Sequence, residues 1–146
     1  MPSPRVAFYV LADADEDGRR GYACRLVEKA YQQDNRVVVR CASPDEARDF
    51  DDLLWRFSDR SFVPHELLGA GADSITPVVV LGDAAEPPPG DVLVNLGTDV
   101  PPWYGQFGRV AELVAGGEAA RREGRERYRF YREQGVEPET HNLGTR

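Results

Sequence analysis

Apolar residues along this chain follow two rhythms. Short unbroken runs, RVAFYVL (5–11), RVVVRC (36–41), PVVVL (77–81) and DVLVNL (91–96), are rich in β-branched residues and bounded by polar or turn-forming ones. They predict strands covered on both faces. Within 18–33, Ala23, Leu26, Val27 and Ala30 recur at i, i+3, i+4 and i+7 and predict a helix. A second helix is predicted over SPDEARDFDDLLWRF (43–57), with Ser43 as N-cap, Pro44 at the first helical position and Glu46 completing a capping box. Its stripe Ala47, Phe50, Leu54 and Phe57 faces the core. GQFGRVAELVA (105–115) and EAARREGRERYRFYREQ (118–134) read as two more helices, split by Gly116 and Gly117. The loop AAEPPPG (84–90) reads as an exposed connection, residues 136–146 as a polar tail. Strands alternating with helices predict an α/β sandwich with a mainly parallel sheet.

At 146 residues the chain has the size of one domain and can bury a substantial core without staples. Its two cysteines, Cys24 in a predicted helix and Cys41 ending a predicted strand, are too few for a disulfide framework and lack the spacing of a zinc site. No apolar run of the length a membrane span needs occurs, and no signal peptide opens the sequence. These features predict a reducing, cytoplasmic setting without metal, cofactor or membrane contact. A net charge of −7 opposes coating of nucleic acid by the whole surface, though not by a local basic patch.

An α/β sheet invites a nucleotide site in the loop after the first strand. That loop is ADADEDG, and Asp13, Asp15, Glu16 and Asp17 would repel a phosphate where a cradle needs glycines. The same residues imitate the opening of a calcium loop, but Cys24 stands where the bidentate glutamate belongs. The reading that remains is a solvated, helix-capping loop. His65 and His141 are the only histidines, neither in a catalytic motif, and among 25 carboxylates no pair stands out as an acid/base couple. His65, after Pro64, reads as a hydrogen-bonded turn residue.

Two anomalies carry the functional signal. Trp55 lies on the second helix about 120° from the centre of the core stripe. It either packs beneath the following loop or, with Phe62, forms an aromatic partner surface. The last helix holds six arginines against four glutamates in an otherwise acidic chain. Arg121, Arg125, Tyr128 and Arg132 share one narrow face, and pairs such as Arg122 with Glu126 and Arg129 with Glu133 occupy the adjacent one. The helix is either a solvated element laced with ion pairs or a guanidinium stripe suited to a carboxylate or phosphate ligand.

FYVL near the start, RVVVRC, DLLWRFSDRSFVPHELLG and RERYRFYREQG together resemble, in order, segments of the chi subunit of bacterial DNA polymerase III holoenzyme. LLW followed by SFVPH and the RERY helix are the most specific of these. The resemblance implies a Rossmann-like three-layer α/β sandwich without a nucleotide-binding loop and a non-catalytic accessory subunit of the clamp-loader assembly. It also implies two partner surfaces. Val114, Arg121, Arg125 and Tyr128 would bind the acidic C-terminal tail of single-stranded DNA-binding protein, which ends in a phenylalanine carboxylate. Trp55 and Phe62 would anchor the psi subunit, or another protein such as a helicase at the same surface. Two rivals stand beside this reading: a single-stranded nucleic-acid-binding module using the arginine helix with Tyr128 and Phe130 as stacking groups, and an α/β enzyme with a dispersed active site.

Overall fold

β-Branched side chains are stiff at χ1 and pack well on a pleated surface covered from both sides, so the valine runs become central strands. The computed structural model describes residues 4–57, 62–68, 76–82 and 87–143. In chain order these form β1 (Arg5–Leu11), α1 (Glu16–Gln32), β2 (Val37–Arg40), α2 (Pro44–Arg56), β3 (His65–Leu68), β4 (Val78–Leu81), β5 (Val92–Asn95), a 3-10 turn (Tyr104–Gln106), β6 (Arg109–Val114), α3 (Glu118–Glu133) and β7 (Glu139–Leu143). The strands make one sheet in the order β3-β4-β2-β5-β6-β1-β7, and every neighbouring pair is parallel.

Side chains alternate across this sheet into two cores. Val37, Val39, Val78, Val80, Val92, Val94 and Leu113 pack beneath α1 and α2 with Ala23, Val27, Phe50 and Leu54. Val6, Phe8, Val38, Val79, Leu93, Val110 and Val114 face the other way, beneath α3 and the segment carrying Trp103 and Phe107. The crossovers through α1 and α2 travel in one direction along the sheet and the crossover through α3 in the other. A constant hand of connection therefore sends α3 to the opposite face. The result is the expected α/β three-layer sandwich, with a wholly parallel sheet.

Local chemistry sets the helix ends. Asp15 Oδ1 accepts from Gly18 N–H at 2.9 Å, so α1 begins two residues before the expected start, and Glu16 and Asp17 sit in the first turn where the helix dipole favours them. The acidic loop is thus a cap, and among the described residues no cluster of His, Cys, Asp or Glu could hold a metal ion. Ser43 Oγ accepts from Glu46 N–H at 3.1 Å, with Pro44 opening α2. β1 and β6 are neighbours whose outgoing connections part to opposite faces, the switch point where open parallel sheets place ligands. Here backbone fills that crevice. Gly116 N–H donates to Ala14 O at 2.9 Å, and a Cβ at position 116 would collide with the Ala12 carbonyl oxygen.

Four expectations are corrected. Residues 105–115 hold the 3-10 turn and strand β6 instead of a helix. Val110, Leu113 and Val114 happen to fall at i, i+3 and i+4, and Glu112, a polar residue inside a central strand, disguised the strand as an amphipathic turn. The tail expected over 136–146 contains β7, an edge strand whose side chains are mostly exposed and which therefore carries no apolar signature. His65 lies in strand β3, not in a turn. In the proline-rich stretch residues 84–86 lie outside the described residues, while Pro87 and Pro88 are buried rather than exposed.

Cys24 and Cys41 are free and wholly buried, and burial pushes both thiols up to about 12. Folding makes them harder to ionise than in the unfolded chain, where a thiol titrates near about 8.5. Their contribution to stability is complete below that pH and drains away as the pH climbs toward 12. Above about pH 8.5 the unfolding free energy should fall by ~1.4 kcal/mol per pH unit for each thiol. Urea titrations from pH 7 to 11 check this against Cys24→Ala/Cys41→Ala, in which that part of the alkaline slope should vanish.

Candidate functional site

α3 lies unusually close to the sheet because position 124 has no side chain. A Cβ there would stand 2.9 Å from Val114 Cγ2, so the helix interior carries a glycine where an aliphatic residue would lift it away. The face turned to the sheet is Gly124, Arg127 and Tyr131, all buried. Beside it, Arg121, Arg125 and half-buried Tyr128 border a cavity of about 220 Å³. Gly124 itself, Phe8 and Val10 of β1, Val114 of β6 and Thr140 of β7 complete its lining. Tyr128 is braced by Phe8, with ring centroids 5.3 Å apart. The structure therefore gathers Val114, Arg121, Arg125 and Tyr128 around a single apolar hollow.

Guanidinium groups at this hollow are available. Among the described residues no carboxylate oxygen lies within 4.0 Å of Arg121 or Arg125. The expected pairs of Arg122 with Glu126 and Arg129 with Glu133 do not form within that distance either, and Arg132 turns to Glu137 Oε1 at 3.7 Å, outside the lining. An apolar recess rimmed by unpaired arginines can hold a ligand that is hydrophobic at one end and anionic beside it. Sequence reasoning missed Phe8, Val10, Gly124 and Thr140. Gly124 was signalled by being a glycine inside a helix of strong formers.

Behind the hollow runs a buried polar row. Arg40, Asn95 and Glu112 are in register across β2, β5 and β6, and the row ends on the apolar Phe8 of β1. The fully buried Glu112 carboxylate accepts from Arg127 Nε at 2.8 Å, from the Tyr131 hydroxyl at 2.7 Å and from Asn95 Nδ2 at 2.9 Å. Burial and the neighbouring Glu112 raise the Tyr131 hydroxyl far above the usual phenol range, which keeps it a donor. Asn95 Nδ2 also donates to Asp99 O, and Arg40 Nη1 to the same carbonyl at 2.8 Å. Glu112 had been missed because its segment read as helix.

The second set of residues lies at the other end of the sheet. Trp55 on α2 is 52% exposed and Phe62 64%, with ring centroids 5.4 Å apart. Leu67 on β3 is the third exposed large apolar residue among those described. The Trp55 indole rests on the buried His65 ring, 4.2 Å between centroids. His65 is itself fixed, Nδ1 lying 2.7 Å from Val63 O, and Nε2 3.2 Å from Asp51 O and 3.3 Å from Asp51 Oδ1. Burial raises the Asp51 carboxyl, with His65 pulling it back. Trp55 thus stands on a rigid base with its outer face in water, where a hydrophobic partner would gain most from covering it. Asp59 and Arg60, between the two rings in sequence, lie outside the described residues.

A model of the family described as DNA polymerase III chi subunit, HolC, matches residues 3–139, which include Trp55, Phe62 and every lining residue of the hollow except Thr140. The chain belongs to the chi subunit family of DNA polymerase III. It is 42% identical to DNA polymerase III subunit chi of Pseudomonas aeruginosa over 143 residues, 95% of this chain and 96% of that protein. The chi subunits of Haemophilus influenzae and Escherichia coli are 30% and 28% identical, over 94% and 89% of this chain and 96% and 92% of theirs. No helix among the described residues of this chi-family protein is long and apolar enough to cross a membrane.

Surface and hub should respond differently to mutation. Arg125→Glu changes an exposed helical side chain and should shift the unfolding free energy by no more than about 0.5 kcal/mol. Glu112→Ala strands the buried Arg127 and should cost about 3–5 kcal/mol. Urea unfolding of the two variants beside the parent measures both.

Proposed function

We propose that this chi-family protein is a non-catalytic tether in the clamp-loader assembly of DNA polymerase III, binding two partners at separate surfaces. The cavity beneath α3 takes the acidic C-terminal tail of single-stranded DNA-binding protein. Its terminal phenylalanine ring enters the recess formed by Phe8, Val10, Val114 and Tyr128, while Arg121 and Arg125 hold the terminal and neighbouring carboxylates. The observation that carries this reading is the convergence, at one place, of an apolar hollow and two arginines that have no carboxylate within 4.0 Å among the described residues. Trp55 and Phe62 form the second surface and anchor the psi subunit, or a helicase that uses the same patch.

Direct binding of single-stranded nucleic acid by the arginine helix is the competing use of the same cations. The aromatic groups it would need are engaged elsewhere. Tyr128 packs on Phe8, and Phe130 packs edge-on against Tyr104 and Tyr131. A net charge of −7 further opposes a polyanion at long range. A short peptide with a single apolar end suits the site better than stacked bases. Because the arginines are exposed, the affinity of such contacts falls with ionic strength, and a partner presenting several tails offsets weak single contacts through effective concentration.

Calorimetric titration with a synthetic acidic peptide ending in phenylalanine, and with the same peptide lacking that residue, tests the first surface. The parent should bind only the former. Arg125→Glu should weaken binding by about a hundredfold, ~2.8 kcal/mol at 1.4 kcal/mol per decade, and Trp55→Ala should leave it unchanged. Equal binding of both peptides, or of neither at low salt, would remove the tail assignment. For the second surface, pull-down with purified psi should succeed with Arg125→Glu and fail with Trp55→Ala.

A further inference from the structure

α3 is held to the sheet by directional bonds in place of an aliphatic stripe. We propose that Glu112, Arg127 and Tyr131 are positioning residues for the tail pocket, acting through the placement of α3 without touching the ligand. The inference rests on the tail-binding reading of that pocket. None of the three lines the cavity.

An amphipathic helix seated on Leu, Ile and Val can roll or slide with little penalty, because such contacts are non-directional. The buried face of α3 offers no such stripe, only Gly124, Arg127 and Tyr131. Arg127 and Tyr131 stand one turn apart, and their donors converge on the two oxygens of one carboxylate, at 2.8 and 2.7 Å. Two anchor points one turn apart on the same helix fix its rotation and its axial position together. A helix turns 100° and rises 1.5 Å per residue, so a slip by one position would swing Tyr128 off Phe8 and carry Arg125 away from the recess. Glu112 and Val114 lie on the same face of β6, so the strand sets the spacing between the anchor and the pocket floor. The helix sets the spacing from Arg127 to Arg125 and Tyr128. Asn95 Nδ2 holds the carboxylate from the sheet side at 2.9 Å, and Arg127 Nη1 reaches Thr98 O at 3.3 Å. Gly124 against Val114 then brings the correctly turned helix down to contact.

Four proteins separate positioning from simple stabilisation: the parent, Glu112→Gln, Tyr131→Phe, and the apolar replacement Glu112→Met/Arg127→Met/Tyr131→Phe. Apolar residues of similar volume commonly restore the stability lost with a broken buried pair. Each is measured well below its unfolding midpoint, for affinity toward the acidic peptide ending in phenylalanine and for proton contacts between the Tyr128 and Phe8 rings by NMR. Glu112→Gln should bind at least tenfold more weakly than the parent and Tyr131→Phe several-fold more weakly, with the ring contacts diminished in both. The apolar replacement should regain stability without regaining affinity. Affinity within twofold of the parent in a folded Glu112→Gln, or affinity that returns in step with stability, overturns the proposal. Should the parent itself fail to bind the peptide, the tail reading falls, and undisturbed ring contacts in folded Tyr131→Phe would overturn the positioning claim on their own.

Discussion

One carboxylate organises the sheet face beneath α3. Glu112 has lost all contact with water, and a buried anion is tolerable only when its lone pairs are met by donors. Arg127, Tyr131 and Asn95 meet them, drawn from the helix above and the strand beside. The requirement to satisfy that one group therefore dictates how β5, β6 and α3 sit together. A purely aliphatic interface would be as stable and less specific, whereas this one has a single arrangement in which no partner is stranded.

The rest of the architecture follows from strand order. α1 and α2 cover one face over β6 to β3 and α3 covers the other, so the recess and the aromatic pair fall at opposite ends of the sheet on opposite faces. The crevice that kindred folds use for ligands is taken up by backbone from Ala12, Ala14 and Gly116. The recess and the aromatic pair accordingly sit on the edges and helix faces of this chi-family protein.

Much of this was legible in the residues. Runs such as VVV and VLV announce strands covered twice, and the Ser43, Pro44 and Glu46 cluster announces the start of α2. Trp55 could be placed off the core stripe, and Arg121, Arg125 and Tyr128 on a common face, from helical periodicity alone. Elements whose patterns answer to something other than local burial were not legible. β7 and β3 are edge strands, β7 with mostly exposed side chains and β3 with Glu66 and Leu67 exposed, and β6 contains Glu112, whose polarity makes sense only once Arg127 and Tyr131 stand over it. Phe8 and Val10 could be assigned to the first strand but not to the recess, because lining a cavity under α3 depends on the long crossover that returns the chain to the edge of the sheet.

The parallel order of the strands also has a mechanical side. From β3 to β7 there are six inter-strand spacings of about 4.8 Å, roughly 29 Å in all. Tension applied between the two ends of the molecule would run across the strands and open the ladders one at a time, a geometry that yields at its weakest seam. The shortest ladders, of four paired residues each, run from β3 through β4 and β2 to β5 and β6, whereas the edge strand β7 is held to β1 by five pairs. α3 is bonded to Glu112 in β6, two strands further in. A pull exerted on the helix therefore enters the sheet at β6, beside its longest ladder, the six pairs of β1 with β6.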